Sequence, residues 1–307
     1  MNPAIGGIPL VLGGNVFGWT AKGDAGFAVL DAFYEGGGRM IDTADVYSAW
    51  IPGHVGGESE RLIGQWLELR GVRAEMLIHT KTGMMGGKEL YEPARVLQSL
   101  DASLERLRTD TIDLYYAHQD FADLPIGEIV EAFDGAVRTG KVRALGASQF
   151  GAERLAAAID AARERGATPF SVLQNQYNLV ARNDFGPALQ RLCAEQGIPL
   201  LPFFSLANGF LTGKYRTEAD LAKSPRGSRS AKLLTSAAPM LEVMDAIADE
   251  TGASLAQIAL AWLNAQPGIG APIASATTPA QVRELISAVN LKLEDDQLER
   301  LTAAGPA

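Results

Sequence analysis

Glu92-Pro93-Ala94-Arg95-Val96-Leu97-Gln98-Ser99-Leu100-Asp101-Ala102-Ser103-Leu104-Glu105-Arg106-Leu107 is followed closely by Ile112-Asp113-Leu114-Tyr115-Tyr116-Ala117-His118. In the first run Val96, Leu100, Leu104 and Leu107 recur every three or four residues, the period of one helix face, and Pro93 stands where a first turn tolerates proline. The second run is short and apolar and reads as a strand. Outward from this pair the alternation continues in both directions. Strands are expected at 39–42, 76–80, 112–117, 142–147, 171–175, 199–204 and 272–276, with 9–13 as a hairpin arm or first strand. Helical spacing covers 24–36, 58–69, 126–139, 152–165, 187–196, 238–251, 254–266 and 279–289. Strands alternating with helices at this spacing imply parallel βαβ units.

Seven or eight such units in 307 residues predict an α/β fold: a (β/α)8 TIM barrel, one domain over 1–307, with its active site at the C-terminal face. An open doubly wound sheet competes, but Gly13-Gly14-Asn15 lacks the third glycine of its phosphate turn. The longest irregular stretch, 208–235, is read as a functional loop. With 47% apolar and 21% charged residues the composition suits a large buried core, and a net charge of −9 disfavours nucleic acid and anionic membranes as partners. The single cysteine, Cys193, is read as a packed small residue. His54, His79 and His118 are too scattered for a metal site. The N-terminus lacks the pattern of a signal peptide, and no apolar run approaches the ~18 residues of a membrane span, so a cytoplasmic location is expected.

In barrels the reacting groups lie at the carboxyl ends of strands. Asp42 ends one strand in Ile41-Asp42-Thr43-Ala44-Asp45-Val46-Tyr47, Lys81 follows the next, and His118 closes a third. These types suit carbonyl reduction. Hydride delivered to a carbonyl carbon leaves an alkoxide that needs a proton, which Tyr47 can give. A free tyrosine has a pKa of ~10, and the Lys81 ammonium is expected to lower it, with Asp42 holding the lysine charged. His118 can polarise the carbonyl oxygen. Taken singly, each has a plain structural explanation; together, at three successive strand ends, they form a catalytic constellation.

With their flanks the four residues resemble the Asp-Tyr-Lys-His tetrad of the aldo-keto reductase superfamily, in its bacterial-type branch similar to potassium-channel β-subunits. Gly56-Gly57-Glu58-Ser59-Glu60-Arg61-Leu62-Ile63-Gly64 resembles the helix after the first signature, and 99–118 resembles the second. The resemblance implies a nicotinamide cofactor. Ser148 and Gln149 stand where the family usually has Ser-Asn, and with Gln174 they would hold the carboxamide. Phe204 would stack on the nicotinamide ring. Ser205, Leu206, Gly209 and Lys214 lie in a segment similar to the loop over the pyrophosphate, with Arg229 as a further phosphate contact. Ser275, Thr277, Thr278 and Gln281 match the adenosine-phosphate turn. Many relatives carry Lys or Arg in that turn; here threonines replace them, with Arg283 or Arg229 able to compensate. NADP(H) is therefore the expected cofactor, and NAD(H) stays open.

The expected function is reduction of an aldehyde, ketone or sugar carbonyl, or the reverse oxidation of an alcohol. Trp19, Trp50, Tyr91, Phe121 and Phe204, with the loop 48–57, are candidates to line the substrate mouth. Two alternatives remain: a cofactor-binding regulatory subunit of the same fold, and an aldolase-type barrel using Lys81 as a Schiff-base lysine. The sequence names neither the substrate nor the oligomeric state.

Overall fold

The computed structural model describes residues 2–305; Met1, Pro306 and Ala307, included in the expected domain span, lie outside them. Strands β1 (Val11–Gly13), β2 (Met40–Asp42), β3 (Leu77–Thr82), β4 (Leu114–Ala117), β5 (Leu145–Ser148), β6 (Phe170–Gln174) and β7 (Ile273–Ala274) form a seven-stranded sheet in the order β6-β5-β4-β3-β2-β1-β7. Every pairing among them is parallel. Helices α1 (Gly23–Glu35), α2 (Glu58–Arg70), α3 (Pro93–Leu107), α4 (Ile126–Arg138) and α5 (Ala152–Arg165) connect β1 to β6. Then come α6 (Pro187–Gln196), α7 (Leu233–Ser236), α8 (Ala238–Thr251), α9 (Leu255–Ala265), α10 (Pro279–Ser287) and α11 (Asp295–Ala304).

The helix that opened the reading buries Val96, Leu100, Leu104 and Leu107, as its spacing requires. Each such side chain removed from water contributes roughly 2 kcal/mol before entropy is counted. The outer faces of the strands meet these helices in one large core that includes Ile41, Ile78, Tyr115, Ala117 and Leu173.

A second, smaller cluster occupies the opposite face of the sheet: Ala4, Val11, Met40, Leu114, Tyr116, Val172, Leu201, Ala271 and Ile273 among others, with Leu77 packed against it. Side chains alternate along a strand, so the residue two places further on shares the same face. Met40 is followed by Asp42, Leu77 by His79 and Lys81, Tyr116 by His118, and Val172 by Gln174. One face of the sheet thus grades from an apolar floor into a polar upper layer.

The structure corrects three expectations. No strand forms at 199–204. Leu200 bridges Leu173 and Ile269, and Phe203 bridges Gln176. Pro199 and Pro202 carry no N–H, and Phe204 turns to a φ of 53°, so the ladder cannot extend. The curled sheet is joined from β6 toward β7 by single bridges and by hydrogen bonds such as Leu201 N to Leu173 O (2.9 Å) and Ile273 N to Pro202 O (2.9 Å). The stretch 208–235 is less irregular than expected, because it carries short 3-10 turns at Ala207–Thr212, Glu218–Lys223 and Gly227–Ser230. Finally, α11 was not anticipated. Among the described residues no helix is long and apolar enough to cross a membrane.

Candidate active site

Lys81 is fully buried, and its ammonium group joins the site together. Nζ donates to Asp42 Oδ2 at 2.6 Å, to the Thr43 carbonyl at 2.7 Å and to the Tyr47 hydroxyl at 3.3 Å. The other carboxylate oxygen of Asp42 accepts from Gln174 Nε2 at 2.9 Å. His118, at the end of β4, sets its ring edge-on to Tyr47 with centroids 6.1 Å apart. The four tetrad positions named from the sequence therefore meet in one place, on the polar layer above the inner cluster.

The electrostatics are those of a dry site. Burial alone would lower the pKa of Lys81, but Asp42 and Tyr47 more than offset it, and the group is held above its ordinary value. Burial raises Tyr47; Lys81 pulls it back only in part, and the hydroxyl ends above its ordinary value. This differs from the expected net lowering, because removing water costs a phenolate more than one ammonium already shared with Asp42 returns. His118 is pushed well below its usual range, first by burial and then by the charge of Lys81, so its ring is neutral. Its Nδ1 is buried without a hydrogen-bond partner.

Beneath the site His79 is fully buried, and its Nε2 lies 2.8 Å from the Ala4 carbonyl, to which it donates. Asp45 lies beside the site: its backbone N–H donates to the Lys81 carbonyl at 3.1 Å. Its carboxylate accepts from Thr82 Oγ1 at 2.7 Å, and burial pushes its pKa up to about 6.

The residues expected to hold a cofactor are dispersed around the rim. Gln174 is turned to Asp42, and Gln149 Nε2 donates to the His118 carbonyl at 3.0 Å. Both amides thus brace tetrad residues. Ser148 is buried at the end of β5, and Ser205 Oγ donates to the Pro202 carbonyl at 3.0 Å. Phe204 and Leu206 are half-buried, while Lys214 and Arg229 are exposed. Gly209 takes a φ of 93°. In the last turn Gln281 Oε1 accepts from the Thr277 N–H at 2.8 Å and Oγ1 at 3.1 Å, and Gln281 N donates to Thr278 Oγ1 at 3.3 Å. This turn is closed on itself, with no cation among its bonds.

Two rim residues escaped the sequence reading. Asn15, just beyond β1, accepts on Oδ1 from Ser275 Oγ (2.8 Å) and from Arg226 Nη2 (3.2 Å). The strand-end rule that found Asp42 would also have found Asn15. Arg226 had no such signal. Trp19 and Trp50 meet edge-on at 5.8 Å, and Trp50 meets Tyr47 at 5.8 Å, so both line the mouth. Tyr91 does not: it is buried against Phe121 and Phe133 and donates to the Gln119 carbonyl. The loop 48–57 is anchored by Glu58, whose carboxylate accepts from the backbone N–H groups of Ser48, Val55 and Gly56. A cleft of about 560 Å³ opens beside Gln149 and Asn175, but none of the tetrad side chains lines it.

Comparison with known proteins finds similarity over nearly the whole chain. The family model described as "Aldo/keto reductase family" matches residues 9–305. The chain is 32% identical to an uncharacterized oxidoreductase, YrpG, of Bacillus subtilis (strain 168), over 97% of this chain and 92% of that protein. It is 30% identical to the norsolorinic acid reductase of Aspergillus flavus, over 97% of this chain and 78% of that one. An aryl-alcohol dehydrogenase of Pestalotiopsis microspora is 29% identical, over 95% and 77% of the two chains.

Proposed function

The chain belongs to the aldo/keto reductase family of oxidoreductases, and from that premise we propose that it interconverts carbonyl compounds and alcohols with NADP(H), using Tyr47 as general acid and base. The observation that carries this reading is the contact set of Lys81, which ties the Tyr47 hydroxyl to a buried carboxylate. We read the single bridges around Leu200 as closing a (β/α)8 barrel that forms one domain.

The residues present fit a dinucleotide. Lys214 and Arg229 are exposed and have no carboxylate partner among the described residues. Gly209 takes a φ of 93°, a conformation that side chains other than glycine's rarely adopt, and its missing Cβ leaves that backbone open to close approach. Ser148 and Phe204 would face the nicotinamide, with Gln149 and Gln174 within reach of its amide. When bound, the cofactor supplies or accepts the hydride. NADP(H) is the family expectation, but the self-satisfied Thr277–Gln281 turn offers a 2′-phosphate little charge, so NAD(H) is a weaker second substrate.

The chain's own residues supply the proton. Tyr47, protonated at neutral pH, donates to the developing alkoxide. Lys81 stabilises the phenolate left behind, and Asp42 keeps the ammonium aimed, itself held by Gln174. Neutral His118 orients the carbonyl oxygen. In oxidation the same groups act in reverse. The rim suits aromatic substrates: Trp50, against Tyr47, is exposed, and the name of one relative, aryl-alcohol dehydrogenase, points the same way. The Schiff-base alternative needs a neutral amine, which the pairing of Lys81 with Asp42 disfavours.

Nucleotide titration followed by a carbonyl panel tests the proposal, with Tyr47→Phe as the control. The variant is expected to lose about 10²–10⁴-fold in turnover while nucleotide dissociation constants hold. Full turnover by Tyr47→Phe refutes the acid role. Nucleotide binding by the wild type without turnover of any carbonyl or alcohol favours the regulatory alternative.

A further inference from the structure

Among the described residues Arg226 is a cation without a counter-ion. Other partly buried arginines of this chain find either carboxylates, as Arg106 with Glu60 at 2.6 Å, Arg73 with Asp113 at 2.8 Å and Arg154 with Asp120 at 2.7 Å, or several backbone carbonyls, as Arg39 with those of Tyr34 and Gly38 and Arg182 with those of Leu179, Leu301 and Thr302. Arg226 is half-buried and makes one side-chain hydrogen bond, to the neutral Asn15 amide at 3.2 Å. Its guanidinium lies over the Trp19 ring, 5.1 Å from the centroid. Burial, then the nearby charge of Arg229, push its pKa below the ordinary guanidinium range. A guanidinium has five donors, and a desolvated one with most of them unused is a costly arrangement unless an anion completes it.

Its position says which anion. From Arg226 the rings run without a break to the reacting group: Trp19 against Trp50 at 5.8 Å, and Trp50 against Tyr47 at 5.8 Å. An aromatic wall with the proton donor at one end and an unpaired cation at the other fits a molecule carrying a carbonyl at one end and a negative group at the other. With one side of the guanidinium against the Trp19 ring, its planar fork suits the bidentate geometry of a carboxylate.

We infer that Arg226 is a specificity residue for the carboxylate of an aromatic aldehyde or ketone substrate, held by the guanidinium while the carbonyl lies at Tyr47. The inference rests on the reductase reading of the site and adds the substrate class to it. Asn15 is the positioning partner: its side-chain oxygen accepts from both Arg226 and Ser275 and so ties the stretch 208–235 to the ends of β1 and β7.

Matched probes test it. 4-Carboxybenzaldehyde and benzaldehyde are compared as substrates with NADPH. Benzoate and its neutral isostere benzamide are compared as ligands by tryptophan quenching, with and without NADP⁺. The wild type is expected to favour the carboxylated member of each pair. Arg226→Ala is expected to reduce the kcat/KM ratio of the two aldehydes about 10- to 100-fold, the loss of one or two charge-assisted hydrogen bonds. The benzoate-to-benzamide affinity ratio should fall with it, and Arg226→Lys should recover part of both. Ratios unmoved in Arg226→Ala overturn the inference. So does a tenfold weaker NADPH affinity with unmoved ratios, which would assign the guanidinium to the nucleotide. If neither aldehyde turns over but benzoate binding depends on Arg226, the anion site stands and the reductase reading falls.

Discussion

Neutralising one partner of the Lys81–Asp42 pair should cost more than neutralising both. The side chains are 0% and 3% exposed, and the contact is 2.6 Å. Solvent screening, which reduces surface pairs to under about 1 kcal/mol, does not operate here. Lys81→Met leaves the Asp42 carboxylate with only the Gln174 amide. Asp42→Asn leaves the ammonium with the Thr43 carbonyl and the Tyr47 hydroxyl. Each single variant strands a buried charge and should lose about 3–5 kcal/mol. The double variant has no charge to strand and should lose no more than either single, a coupling of about 3 kcal/mol or more. Urea unfolding at neutral pH, followed by tryptophan fluorescence and far-ultraviolet circular dichroism and extrapolated linearly, gives the four stabilities. Two small losses of under about 1 kcal/mol that simply add would refute the reasoning.

Other consequences are as direct. The pKa of Asp45 is raised in the folded chain to about 6 from an ordinary 3.8, so its contribution to stability is fully present below pH ~4 and lost as pH rises through ~6. Asp45→Asn should remove that slope and be up to about 3 kcal/mol more stable relative to wild type at pH 7.5 than at pH 4; parallel unfolding curves at both pH values would contradict this. On Gly64, where α2 crosses the end of α3, a Cβ would lie 2.3 Å from the Arg106 carbonyl oxygen and 2.7 Å from the Leu107 carbonyl carbon. Gly64→Ala should therefore destabilise by about 1–3 kcal/mol, read from the urea midpoint. Gln281→Arg opens the closed turn and adds a cation beside it; the NADPH-over-NADH affinity ratio, measured by fluorescence titration, should rise about tenfold.

The alternation of strands and helices was legible because it depends on period, and period survives without knowledge of neighbours. Val96, Leu100, Leu104 and Leu107 face the core because four apolar residues spaced this way have one side to bury. The tetrad positions were legible for a related reason: polar residues ending apolar runs are conspicuous. The segment 199–204 looked like the others, yet its two prolines remove the donors a ladder needs. Helix α11 had a signal that went unused, the Glu294–Gln297 capping box, in which the Gln297 side chain accepts from the Glu294 N–H at 3.1 Å. What could not be read was pairing across distance. Gln174 braces Asp42 from 132 residues away, and Arg226 meets Asn15 across 211. Neither contact leaves a trace in local pattern, so the sequence shows neither the brace on Asp42 nor Arg226 at the rim. Tyr91 counts as a mouth candidate by its aromatic type alone, and type does not tell inside from rim: its hydroxyl finds the Gln119 carbonyl inside.

The apolar floor also governs how often the acid can be used. Ala4 and Ile5 close the lower end of the sheet's inner face, and neutral His79 above them commits its one ring proton to the Ala4 carbonyl. Among the described residues no relay of exchangeable hydrogens climbs from that end to Lys81. On the proposed reduction, a proton leaving Tyr47 can be replaced only from the mouth, the side the reactants occupy. The tyrosine is then a single-charge acid, reloaded once per opening, and one solvent proton enters for each product that leaves. Catalysis and exchange with water alternate in time, and the clock that separates them is the departure of product.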